Sequence, residues 1–280
     1  MAIQLKSYLA AAQDTLRFEP TAKRIRGIVD DETVVDSNRA CLVWEPRRVV
    51  PEYAVPAADI TGLQPSRASI MPTVPDGAGP LYPNTPFTAH TAPGEVVDLT
   101  LGRSRTLEQV GLQLREAPLV GYVILDFAGL DSWLEEEEPV IGHPRDPFHR
   151  VDVRASARSI EIRLAGVELA RSAAPRLAFE TNMAARFYLP RDDVRMELLT
   201  GSDTRSVCPY KGEASYFSLD PGAPETADVA SSARGRDIAW VYDAPLPDAV
   251  ALAGLICFYD EKVDVTLDGV TVNHPLTPSL

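Results

Sequence analysis

The stretch IEIRLAGVELARSAAPRLAFE, Ile160 to Glu180, decides the fold, because IRGIVDDETVVDSNRACLVWE, Ile25 to Glu45, follows the same pattern earlier in the chain. The two align without a gap. Val34 meets Leu169, Ser37 meets Ser172, Leu42 meets Leu177, Trp44 meets Phe179 and Glu45 meets Glu180. After one residue of drift, Tyr53-Ala54-Val55-Pro56 meets Phe187-Tyr188-Leu189-Pro190, and Asp59-Ile60 meets Asp193-Val194. The far ends also correspond, Gly121 to Gly254 and His143-Pro144 to His274-Pro275. A domain has been duplicated.

Both copies read as strands. Ile25 to Ile28, Thr33 to Asp36 and Ala40 to Trp44 are short β-rich runs separated by Asp30-Asp31 and Ser37-Asn38 turns. Ser159 to Leu164, Val167 to Ala170 and Arg176 to Phe179 repeat them, with Ala165-Gly166 as the turn. Further strands are expected at Gly121 to Phe127, Leu252 to Tyr259 and Val263 to Leu267. The Asp268-Gly269 pair then signals a hairpin into Val270. Helical spacing is confined to residues 3–17, expected to pack on the first domain, and to a turn at Asp193 to Leu199. The reading is mainly β: a helical segment at 1–21, a first repeat at 22–148 and a second at 149–280. The first repeat carries a proline-rich insertion at 61–93, an ordered non-helical excursion or a flap over a site. Glu135 to Glu138 reads as a solvated edge that discourages strand-to-strand aggregation.

At 280 residues the chain suits two domains. Its net charge of −13 spreads over both halves without a Lys/Arg stripe. That argues against nucleic acid or anionic membrane as the main partner, since phosphate neutralisation needs clustered cations. No apolar run approaches the length of a membrane span. Cys41, Cys208 and Cys257 show no paired spacing, so a reducing, cytoplasmic setting is expected, and no C-x-x-C pair exists to hold zinc. His143, Asp146 and His149 match no metal-ligand spacing, and no cofactor motif appears. Metal-dependent nucleotidyl transfer needs paired carboxylates after a glycine-serine turn. Gly201-Ser202 is present, but no such pair follows it.

Glu180-Thr181, Arg186 to Pro190, Cys208-Pro209-Tyr210-Lys211-Gly212, Ala214-Ser215-Tyr216 and Ala239-Trp240-Val241-Tyr242 resemble the family of domains of unknown function numbered 427, in a tandem arrangement. The resemblance implies two β-tent-like domains, each with small antiparallel sheets leaning over a pocket. It also implies, from relatives, either zinc held by C-x-x-C pairs or a small ligand in an aromatic cage.

Only the second copy has the Cys208 to Gly212 loop; at its place the first has roughly His90 and Pro93. Cys208 lies outside the apolar strands, and the Lys211 ammonium could favour its thiolate. Gly212 permits a tight turn. Cys208 and Lys211 are therefore the catalytic candidates, although no general base is evident. The alternative is a loop fastened by Lys211 to Glu180 or Glu213. Glu180, Arg186, Tyr188, Tyr210, Tyr216, Trp240 and Tyr242 could line one cavity for a small planar or anionic molecule, with Arg186–Glu180 as an ion pair. Alternation on a half-buried strand would equally explain Trp240 and Tyr242. In the first copy Glu52 stands at the place of Arg186. The function expected is small-molecule binding or transformation, and the alternative is a structural or interaction module.

Overall fold

The computed structural model describes residues 2–67, 79–102 and 105–272. Pro72 and Pro75 of the insertion, and the closing His274-Pro275, lie outside them. The chain forms two compact units, residues 1–146 and 147–280. It is mainly β, and no described helix is long and apolar enough to cross a membrane.

In the first unit, α1 (Leu5–Ala11) precedes β1 (Arg17–Pro20), β2 (Ile25–Val29), β3 (Glu32–Ser37), β4 (Cys41–Trp44) and β5 (Glu52–Pro56). β6 (Leu63–Pro65), β7 (Gly94–Leu101), β8 (Arg105–Leu114), β9 (Tyr122–Leu125), β10 (Ser132–Glu135) and β11 (Glu138–Val140) follow. The second unit opens with β12 (Val151–Ala155), β13 (Ile160–Leu164), β14 (Val167–Ser172), β15 (Arg176–Glu180), β16 (Arg186–Leu189) and β17 (Leu199–Cys208). It closes with β18 (Gly212–Leu219), β19 (Ala239–Val241), β20 (Ile256–Phe258), β21 (Asp264–Leu267) and β22 (Val270–Thr271).

The copies agree strand for strand. A seven-stranded sheet runs β1-β4-β5-β9-β8-β7-β6 in one and β12-β15-β16-β20-β19-β18-β17 in the other. The four-stranded sheets run β11-β10-β2-β3 and β22-β21-β13-β14. Even the irregularities recur: a β-bulge follows Gly27 on β2 and Ile162 on β13. The serine landmarks do a matching task. Ser37 Oγ donates to Asp59 at 2.7 Å and Ser172 Oγ to Asp193 at 2.6 Å. Each serine oxygen also accepts an amide two residues on, from Arg39 and from Ala174, fastening the turn after the third strand. The two-residue hairpins Ala165-Gly166 and Asp268-Gly269 have both residues at positive φ, the twist a tight antiparallel connection needs.

Alternation along each strand puts one face of the large sheet against the small sheet. That core is built from residues such as Ile25, Val35, Val55, Leu99 and Trp133 in the first unit, and Ile160, Ile162, Leu189 and Phe258 in the second. Trp133 anchors the first core. Its ring stacks on Phe127 at 5.9 Å and its indole N–H donates to the Phe127 carbonyl at 2.9 Å. Gly27 lies beneath it, where a Cβ would come 2.6 Å from Leu130 and 3.1 Å from the Trp133 ring.

Two expectations change, and the solvated edge at Glu135 to Glu138 gains detail as the sheet's edge hairpin. The N-terminal helix is shorter than 3–17 and leaves Ile3, Leu5, Tyr8 and Leu9 exposed instead of packed. Residues 193–199 hold only 3₁₀ turns, Arg191–Asp193 and Met196–Leu198. Glu135 to Glu138 is the β10–β11 hairpin, and the carboxylate of Glu135 accepts the Tyr53 hydroxyl at 2.8 Å.

Trp133→Ala should lower the stability of the first unit by about 3–5 kcal/mol, read as a urea midpoint shift, because a large ring and its hydrogen bond leave a closed core.

Candidate functional site

The second face of each large sheet is where the copies part. The register aligns Tyr188, Cys257, Trp240 and Tyr216 in one rank across β16, β20, β19 and β18. The same rank in the first unit reads Ala54, Ile124, Leu112 and Val96. One face is aromatic, the other aliphatic, on matching backbones.

In the second unit the aromatic rings pack on one another. Tyr188 is fully buried, and its hydroxyl accepts the Trp240 indole N–H at 3.2 Å across perpendicular rings. Tyr259 lies 4.6 Å from Trp240, and the Tyr216 hydroxyl meets Ser206 at 2.6 Å. Arg186 stands over Trp240 at 5.8 Å. Its guanidinium is held by Glu261, with contacts of 2.6 and 3.0 Å, and lies 3.5 Å from Asp260. The expected Arg186–Glu180 pair is therefore not formed: β16 lies between β15 and β20, and the arginine turns toward the acids that follow β20.

Glu180 takes Lys211 instead. The ammonium donates to Oε2 at 2.5 Å, with both residues buried. Gly212, at φ 99°, opens β18 and sets the turn that brings Lys211 inward. His149 stacks on Tyr210 at 4.1 Å and brings Nε2 to 3.7 Å from the same carboxylate. Burial would raise the Glu180 carboxyl, but His149 and Lys211 together hold it below the usual carboxylate range. The Tyr242 ring lies 6.0 Å from the ammonium, and its phenol is pushed up by burial and by neighbouring Cys208 and Glu180. Cys208 is half-buried, directly opposite Gly212 across the turn. Lys211 thus fastens the loop to Glu180, and Tyr188, Tyr216, Trp240 and Tyr242 share one buried cluster with Cys257.

The first unit buries its glutamate differently. Glu45 is fully buried and accepts from His90 Nδ1 at 3.0 Å, Arg48 Nε at 3.3 Å and the amides of Thr91 and Ala92 at 2.7 and 2.8 Å. Counting back along β7 and β18 from Val96 and Tyr216 puts Thr91 at the place of Lys211 and His90 at that of Tyr210. The strand register thus moves the sequence match, His90 with Cys208 and Pro93 with Lys211, by two residues. Arg48 and His149 are the partners that sequence reasoning missed; only the three-residue step from Glu45 to Arg48 hinted at either.

Among the described residues, no three His, Cys, Asp or Glu side chains converge as a metal site. A polar cleft of about 330 Å³ lies at the other edge of the first unit's large sheet, lined by Gln64, Arg67, Asp98 and Glu108, among others. No residue proposed from sequence lines it.

Lys211→Ala should destabilise the second unit by roughly 3–5 kcal/mol in urea, because it strands a buried charge. Adding Glu180→Gln should recover much of that loss, a coupling that a double-mutant cycle measures. The folded-state pKa of Glu180 lies below its unfolded value, so its contribution is complete at neutral pH and lost as pH falls through the carboxylate range. Glu180→Gln alone should flatten that acid limb.

The family model described as Domain of unknown function (DUF427) matches residues 152–269, from β12 to the β21–β22 turn. No curated protein matches the chain. The second unit is thus similar to the family of domains of unknown function 427 over those residues.

Proposed function

We propose that the second unit binds a small planar or anionic molecule on its aromatic face, with Arg186 and Lys211 at the rim. One observation carries this reading. At matching rank positions the first unit closes its sheet with Ala54, Ile124, Leu112 and Val96, so the scaffold itself does not require Tyr188, Trp240 and Tyr216. Burying phenolic and indole groups adds desolvation cost that aliphatic side chains avoid. Retaining them fits recognition, since aromatic faces beside cations suit flat or negatively charged ligands. Rearrangement of Arg186 from Glu261, or of Lys211 from Glu180, would free a cation for an anionic group.

A thiol-based reaction at Cys208 is the enzymatic form of this proposal, with the half-buried sulfur as nucleophile. The three free thiols fit a reducing, cytoplasmic setting.

A thermal-shift screen with a library of small aromatic and carboxylated metabolites tests the proposal. At a hundred times Kd a true ligand adds about 2.7 kcal/mol, a shift of several degrees. Hits on the parent should vanish in Trp240→Leu, which installs the first unit's residue at that rank, and weaken in Arg186→Ala. Equal shifts in parent and variants would overturn the proposal and leave a structural or interaction module. Faster alkylation of Cys208 than of free cysteine, blocked by the same hits, would support the reaction.

A further inference from the structure

In the first unit, the segment from Leu81 to Ala92 crosses the aliphatic face. Phe87 and Ala92 join Leu112, Leu114 and Ile124 in one buried cluster. Its fastenings converge on the corner at residues 45–49. Leu81 exchanges backbone hydrogen bonds with Arg47 and Val49. The Arg48 guanidinium donates to the carbonyls of Phe87 at 3.1 Å and Ala89 at 3.2 Å. Glu45 holds the Thr91 and Ala92 amides and His90, and Thr91 Oγ1 donates to the Pro46 carbonyl at 2.7 Å.

Donors at this corner are unevenly shared. Glu45 has four, whereas Glu52 Oε2 is buried without a hydrogen-bond partner. The cation beside Glu52 is Arg48, 3.5 Å from its other oxygen and already committed to Glu45 and the strap carbonyls. The charged and titratable groups around it are Glu45 just after β4, Arg48 in the turn, His90 on the strap and Asp126 after β9. Arg17 on β1 donates to the Arg48 carbonyl.

We propose that residues 81–92 are a proton-controlled strap over the aliphatic face of the first unit, held down while Glu52 is protonated and released when it gives its proton to solvent. An ionised Glu52 repels Glu45 and Asp126 and draws Arg48 away from the Phe87 and Ala89 carbonyls. The strap then loses its side-chain fastenings together, uncovering Leu112 and Ile124. Burial pushes the Glu52 carboxyl up to about 8, which puts the change at mildly alkaline pH. The sign follows from linkage. The folded state keeps a proton that the unfolded chain loses near the ordinary carboxylate value, so stability declines as pH rises through that interval up to about 8.

Residue-resolved hydrogen exchange on the full chain, from about pH 6 to about pH 10, tests this after correction for intrinsic exchange. Protection of the Thr91 and Ala92 amides should fall at least about tenfold in the parent and hold within about twofold in Glu52→Gln. The amides of Leu99 and Val123 in the same unit should keep their protection. Equal loss in parent and variant, no loss in the parent, or loss shared by Leu99 and Val123 would each overturn the strap. If Glu52→Gln does not fold, the parent decides: a loss confined to the strap supports it, and any other profile overturns it.

Discussion

Each unit buries a carboxylate where its fourth strand ends, and the surrounding corner is arranged to tolerate that charge. A carboxylate taken from water without donors would be protonated or would unfold its surroundings. Glu45 is satisfied by two backbone amides, a histidine and an arginine from the same turn. Glu180 is satisfied by the ammonium of Lys211, with His149 alongside. The choice of donor fixes the loop before the seventh strand of each unit. Backbone donors require an extended strap lying along the corner. A long side-chain donor allows the tight Cys208 to Gly212 turn, with Gly212 supplying the positive φ.

The covering of the second sheet face follows from this. In the first unit the strap that satisfies Glu45 also delivers Phe87 and Ala92 onto an aliphatic surface. Among the described residues, the second unit has no such strap. Its cover comes from the segment after β19, where Ala249 and Leu252 join the aromatic cluster and the Leu246 amide bonds the Lys211 carbonyl at 3.1 Å. One polar constraint is thus met by two loops, leaving different chemistry under each.

The duplication and the mainly β fold were legible because they rest on local signals. Asp268-Gly269 and Ala165-Gly166 name their hairpins, and Ser37/Asp59 and Ser172/Asp193 mark a hydrogen bond that both copies make. Tyr188, Tyr216, Trp240 and Tyr242 were expected together and share one buried cluster, but strand alternation spoke only for Trp240 and Tyr242. Charge partners were not. Arg186 has candidate acids at Glu180 on β15 and at Asp260 and Glu261 after β20, and composition does not say which it meets. His149 precedes β12 and meets Tyr210 only because β12 pairs with β15, a non-local fact that spacing does not encode. The helix at Leu5–Ala11 shows the reverse limit: an amphipathic pattern predicts a helix but not a surface for it to cover.

The corner also shows why duplication need not preserve a site. Glu52 and Arg186 occupy the same strand position with opposite charge, and each has brought compensating neighbours: Arg48 beside Glu52, Asp260 and Glu261 beside Arg186. At Glu52 the compensation is incomplete, since Oε2 has no hydrogen-bond partner. Burial pushes Glu52 up to about 8 and Asp260 up to about 7, against the pull of Arg48 and Arg186. A corner selected only for stability would replace such acids with neutral side chains, since a buried carboxyl held near neutrality costs free energy whenever it ionises. The undersupplied carboxyl of Glu52 favours a use for the proton there over a purely structural explanation.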